Sequence, residues 1–170
     1  FSSCFIQTNS VAAIPAGLFE HNPLVTTFAY TFDTATSVPS IPTGLFDHNP
    51  LVTTFYRCFD QCYSIHSIPA GLFANNTEVT DFGWCFSQAG IYSIPSGLFD
   101  TNTKVTSFNQ CFGYTPITSI PSGLFANNTE VTNFANCFDH AQNFASIPSG
   151  LFSTNTKVTT FEKCFYFDWN

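Results

Sequence analysis

Residues 67–86 read Ser67-Ile68-Pro69-Ala70-Gly71-Leu72-Phe73-Ala74-Asn75-Asn76-Thr77-Glu78-Val79-Thr80-Asp81-Phe82-Gly83-Trp84-Cys85-Phe86, and this pattern occurs in six copies along the chain. Its most regular mark is Ile-Pro, at Ile14, Ile41, Ile68, Ile94, Ile120 and Ile147, with spacings of 27, 27, 26, 26 and 27 residues. Every copy keeps the Gly, the Leu-Phe after it, the Asn and the Val-Thr. A fixed period of this length is the mark of a solenoid, in which one unit cannot bury its own apolar face and must stack on its neighbours.

Each unit carries a fainter duplication, because Phe73, Asn76, Val79 and Phe82 are spaced like Phe59, Cys62, Ile65 and Ile68. Half a unit, about 13 residues, is shorter than a leucine-rich coil, so the whole unit makes one turn of the solenoid. Val-Thr-x-Phe and Ser-Ile-Pro, β-branched and aromatic, are the expected short parallel strands. Pro ends the second strand, and Gly allows the turn into Leu-Phe. Gly-Leu-Phe-x-x-Asn has room for one helical or 3₁₀ turn. The shorter units lose their residue between Phe86 and Ile94 and between Phe112 and Ile120, which places a loop there. The fold class is thus a β-rich repeat solenoid with coils of 26–27 residues, and 1–170 form one domain of about six coils. Both ends fall inside the repeat, so the chain is expected to be a segment of a longer protein whose end coils are covered by caps, further repeats or a neighbouring chain.

Val131-Thr132-Asn133-Phe134, Cys137-Phe138 and Ser146-Ile147-Pro148 give the unit a specific likeness. It resembles the BspA-like leucine-rich repeats, in particular the V-T-N-M-x-x-M-F subgroup, along the whole chain. The resemblance implies a right-handed leucine-rich-repeat-like solenoid on a bacterial, protozoal or phage-related surface protein, with adhesion or partner binding as its role. The chain departs from the subgroup in using Phe for Met and in its Gly-Leu-Phe-x-x-Asn segment.

Nineteen of the 22 Phe fall in three columns, after Gly-Leu, after Val-Thr-x and after the Cys column, and are expected to be core. The Asn column (Asn22, Asn49, Asn76, Asn102, Asn128, Asn155) suits a ladder that satisfies backbone groups of its own and the next coil. Cys4, Cys58, Cys85, Cys111, Cys137 and Cys164 recur once per coil, with Thr31 in the second copy, which is not zinc spacing. They are expected to be buried and mostly reduced, although rung spacing alone would permit disulfides. Thr26, Thr53, Thr80, Thr106, Thr132 and Thr159 form an exposed column; strand propensity accounts for it better than an ice-binding surface does, since the next position lacks a second Thr row.

With 9% charged residues and four Lys+Arg against eleven Asp+Glu, the chain has no basic patch for nucleic acid or an anionic membrane, and no apolar run of membrane-spanning length. His21, His48, His66 and His140 do not recur beside a nucleophile or at metal spacing, and no cofactor motif is present, so no enzyme chemistry is indicated. Asn75-Asn76-Thr77 and Asn127-Asn128-Thr129 are glycosylation sequons that such an Asn- and Thr-rich chain can contain by chance.

Function is expected where the columns break down. Phe fills the repeated positions, yet Tyr30, Tyr56, Tyr63, Tyr92, Tyr114, Tyr166, Trp84 and Trp169 lie in segments that change from coil to coil. Stacking aligns a row of Tyr30, Arg57, Trp84, Gln110, Asn136 and Lys163, with Tyr56 beside it, a mixture suited to partner binding. The competing reading is that variable loops tolerate any residue. The expected partner is a protein or glycan at an extracellular, cell-surface or virion-borne site; the alternative is a stalk or filament whose partner is a neighbouring copy of itself.

Overall fold

The computed structural model describes residues 1–8, 10–141 and 143–167. Trp169 of the aromatic set therefore lies outside the described residues. The chain winds as a stack of coils, and parallel bridges join Thr27 to Thr54, Thr54 to Asp81, Asp81 to Ser107, Ser107 to Asn133 and Asn133 to Thr160. One unit is thus one rung. A second contact of the same kind joins Ser67 and Ser93.

The expected strands shrink to these single bridges, and the expected helical or 3₁₀ turn is replaced by a succession of hydrogen-bonded turns. In the middle coil, the N–H of Leu72 donates to the Pro69 carbonyl, Ala74 to Gly71, Asn76 to Phe73 and Val79 to Asn76. Turning every three residues leaves no straight run for a ladder, and a coil of 26–27 residues must bend that often to close. The backbone is nonetheless well paired. Phe55, Arg57, Phe59 and Gln61 donate forward to the carbonyls of Asp81, Gly83, Cys85 and Ser87 of the next coil, while the residues between them close turns within their own coil. On the Thr column the direction reverses, Thr80 donating back to the Thr53 carbonyl.

Three aromatic columns fill the centre. Phe55 and Phe82 stack at 5.7 Å and 4°, Phe59 and Phe86 at 5.6 Å and 4°, and Phe73 and Phe99 at 6.1 Å and 7°. Across the coil, Phe73 meets Phe82 tilted at 4.7 Å and 55°, so rings pack offset within a coil and parallel between coils. Burying each ring contributes roughly 1.5–3 kcal/mol before conformational entropy is subtracted.

The two halves of a coil differ in how they use one turn. In the glycine half (68–81 of the middle coil) the amide of Asn76 donates to the carbonyls of Phe46, at 3.1 Å, and Asn49, at 2.9 Å. Asn49, Asn102, Asn128 and Asn155 repeat this pair of bonds. The ladder reaches only the preceding coil, contrary to the expected bonds within its own, and the buried Oδ1 oxygens of these five asparagines accept no hydrogen bond from the described residues. In the cysteine half, Cys62 stands where Asn76 stands, and its Sγ donates to the Phe32 carbonyl at 3.1 Å, the counterpart of the Phe46 carbonyl. The half-repeat of the sequence is therefore real at the level of single hydrogen bonds.

All seven cysteines are free. Cys58, Cys85, Cys111, Cys137 and Cys164 are buried as expected, and Cys62 with them, but Cys4, on the first coil, is exposed. Burial pushes the thiols of Cys58, Cys85, Cys111 and Cys137 well up from the ordinary value, and those of Cys62 and Cys164 up to about 12. The exposed Thr column is structural too: the hydroxyls of Thr53, Thr80, Thr106, Thr132 and Thr159 donate to the carbonyl of the Thr one coil back.

Candidate functional site

The variable row begins from a column read in the sequence only as a broken Thr row. Thr27, Thr54, Asp81, Ser107, Asn133 and Thr160 share a side-chain oxygen, and each accepts the N–H two residues on, of Ala29, Tyr56, Gly83, Asn109, Ala135 and Glu162. Thr, Ser, Asp and Asn make this local turn, and other side chains do not. Its consequence is the next residue. Tyr30, Arg57, Trp84, Gln110, Asn136 and Lys163 all have positive φ, between 51° and 59°. Each is the third residue of a turn closed by the following N–H, as Cys58 closes on Phe55.

The matching residue of the glycine half is Gly, at φ 70° for Gly71, in the same kind of turn. A left-handed backbone costs a residue with a Cβ roughly 1–2 kcal/mol, and Gly nothing comparable. Gly71-Leu72-Phe73 and Arg57-Cys58-Phe59 are therefore the same structure with opposite choices at the strained position. The signal was present in the sequence: extending the half-repeat by two residues sets Gly71 over Arg57.

The row is partly self-occupied. The Arg57 guanidinium lies between two rings, 5.6 Å from the Tyr30 centroid and 5.3 Å from that of Trp84. It donates twice to Oδ2 of Asp60, once from Nε at 2.8 Å, and Nε stands 3.6 Å from Oδ2 of Asp33. Asp60 is fully buried and Asp33 nearly so. Burial raises the Asp60 carboxyl above its ordinary value, and Arg57 opposes the rise. Arg57 is thus an internal strut across three coils, neutralised by its own chain and poorly placed to meet an anion.

Tyr30 and Tyr56 contact edge to face at 5.4 Å, and Trp84 Nε1 donates to Asn109 Oδ1 at 3.1 Å. Tyr30, Tyr56, Trp84 and Asn136 are half-buried, Lys163 is exposed, and Gln110, at 4% exposure, presents almost nothing to solvent. Tyr63, Tyr92 and Tyr114 are half-exposed beyond the row, and Tyr114 stacks on His140 at 4.4 Å. Among the described residues no three His, Cys, Asp or Glu converge on a metal position. No helix among them is long and apolar enough to cross a membrane.

No protein-family description matches the chain, and no curated protein matches it. Solved structures do. The leucine-rich repeat domain of APL1B is 16% identical, with 70% of this chain and 31% of that one covered at a TM-score of 0.44. The Toll–Spatzle complex of Drosophila gives 20% identity, 85% and 27% coverage and 0.37. The functional domain of InlJ from Listeria monocytogenes, described as including a cysteine ladder, gives 11%, 86%, 36% and 0.35. The chain spans about a third of the length of these domains. The structures it is similar to are leucine-rich repeat proteins, and the chain is a repeat solenoid.

Proposed function

We propose that this chain is a non-catalytic binding solenoid whose partner is a protein, met on the cysteine half through Tyr30, Tyr56, Trp84, Asn136 and Lys163. Arg57 serves as their support, and Gln110 only as filling beneath them. One observation carries the reading. The cysteine half keeps side chains at the left-handed position in coil after coil, where the sister turn uses Gly and avoids the strain. Strain retained in this way marks positions whose side chains are used. Aromatic and amide groups presented on a rigid rung give contact area at low entropy cost. An extracellular or cell-surface setting, virion-borne included, and an adhesive role belong to the same reading.

The test is binding of the purified chain to an array of ectodomain proteins and an array of glycans, with self-association measured by light scattering. Trp84→Ala and Tyr56→Ala should each abolish protein binding, while Thr101→Ala on the glycine half should leave it intact. Equal binding by all variants would remove the row from consideration. Binding only to glycans, or only to further copies of the chain, would replace the protein partner by one of those.

A further inference from the structure

We infer that Asn75 and Asn127 are N-linked glycan acceptors, carried on the glycine half, away from the left-handed row. The two sequons sit at the same point of alternate coils. In each, the middle residue is a ladder asparagine, Asn76 or Asn128, fully buried and bonded to two carbonyls of the preceding coil. That anchor holds the turn, so the flanking Asn75 and Thr77, like Asn127 and Thr129, stand exposed on either side of it. The acceptor amide and the Thr hydroxyl of the sequon are thus presented together at the surface.

The acceptor position has a second property. Across coils it holds His21, His48, Asn75, Thr101, Asn127 and Thr154, and the side chains of the last four reach back to a carbonyl of the previous coil. Thr101 and Thr154 make this bond at 3.0 and 2.9 Å, whereas the amides of Asn75 and Asn127 make it at 3.4 and 3.2 Å. Thr therefore does the structural job more tightly, and Asn in the third and fifth coils is not needed for it. An Nδ2 that carries a sugar keeps one N–H, so modification and the reach-back bond are compatible. Parallel rungs lie about 5 Å apart, so acceptors on alternate coils are about 10 Å apart. Thr101 between them leaves one rung without an acceptor, which gives each glycan that spacing.

The reaction is transfer from a lipid-linked oligosaccharide pyrophosphate in a eukaryotic secretory pathway. Nδ2 bonds to the anomeric carbon, that carbon's bond to the pyrophosphate oxygen breaks, the amide loses one proton, and the lipid pyrophosphate leaves. Sugars there would cover the edge bearing the Glu78–Lys104 and Glu130–Lys157 ion pairs and leave the cysteine half open.

The full chain, targeted to the secretory pathway of a eukaryotic cell, tests this by intact mass before and after peptide N-glycosidase, on cell-retained and secreted protein together. Two glycans are expected on the parent, one each on Asn75→Gln and Asn127→Gln, and none on the double variant. Thr77→Ala and Thr129→Ala, which leave both asparagines in place, should give the same losses. An unmodified parent, beside a secreted control protein glycosylated in the same cells, overturns the inference. So does a glycan that persists in the double variant.

Discussion

The glycine half and the cysteine half of each coil place one turn at opposite sides of the same core and ask different things of it. Asn76 and Gly71 make the glycine half a strong and unstrained turn; Cys62 and Arg57, at the matching positions, make a weaker and strained one. The glycine half adds a side-chain ladder to the preceding coil, while the cysteine half carries the main-chain bonds to the next coil and the freedom to vary side chains. Coil stacking holds the strained turn in place, because the left-handed residues of this half donate their N–H groups to the next coil, as Arg57 does to the Gly83 carbonyl.

The largest expected effect tests the strut that makes the cysteine half tolerable. Arg57→Ala leaves Asp60 buried without its cation, and breaking a buried pair from one side costs about 3–5 kcal/mol. Its pH dependence has a defined sign. The Asp60 carboxyl is already raised in the fold above the unfolded value of about 3.9, so between the two the folded state binds more protons and stability falls as pH rises. Without Arg57 the folded value rises further and that window widens. Urea unfolding should therefore show a large deficit for Arg57→Ala at neutral pH that shrinks toward about pH 4. A deficit independent of pH would mean that Asp60 is not the source.

Next comes the ladder itself. Asn76→Ala removes two side-chain bonds, while the Phe46 and Asn49 carbonyls keep their turn bonds from the N–H groups of Asn49 and Val52, and should cost about 1–3 kcal/mol, whereas Cys62→Ala, losing one weak S–H donor, should cost less than about 1 kcal/mol. Equal losses would erase the distinction between the halves. Thiol labelling sharpens it without mutation: Cys4 should react at once in the native state, and the six buried thiols only on unfolding, because burial holds them up and shields them.

The repeat, the coil length, the Phe columns, the Asn ladder and the free thiols were legible because each recurs at a fixed position with one residue type. The turn chemistry was not, because it recurs as a property shared by several types. Thr27, Asp81, Ser107 and Asn133 look like variation until their oxygens are seen to accept the same N–H. Strands were overestimated for a related reason: Val-Thr-x-Phe has strand propensity, but closing so short a coil bends the chain after each bridge. The support role of Arg57 was not legible because Asp33 and the Tyr30 and Trp84 rings, on neighbouring rungs, reach it only through stacking; only Asp60, three residues on in the same coil, was within sight of the sequence.

The smallest effect bears most directly on whether the cysteine half is built for a partner. Trp84→Ala and Trp84→Gly both remove the indole, its contact with Arg57 and its bond to Asn109, so their difference isolates the backbone. At φ 59° Ala keeps the left-handed strain and Gly releases it, so the Gly variant should be more stable by about 1 kcal/mol. Gly71→Ala, at φ 70° with its nearest neighbour, the Ala74 Cβ, 3.9 Å away, should lose about as much without any clash to explain it. Opposite signs and similar size would show that one turn serves both halves, and that the chain carries at Trp84 a strain it avoids at Gly71. Equal stability of the two Trp84 variants would remove the strain argument, and with it the main support for partner binding on this row.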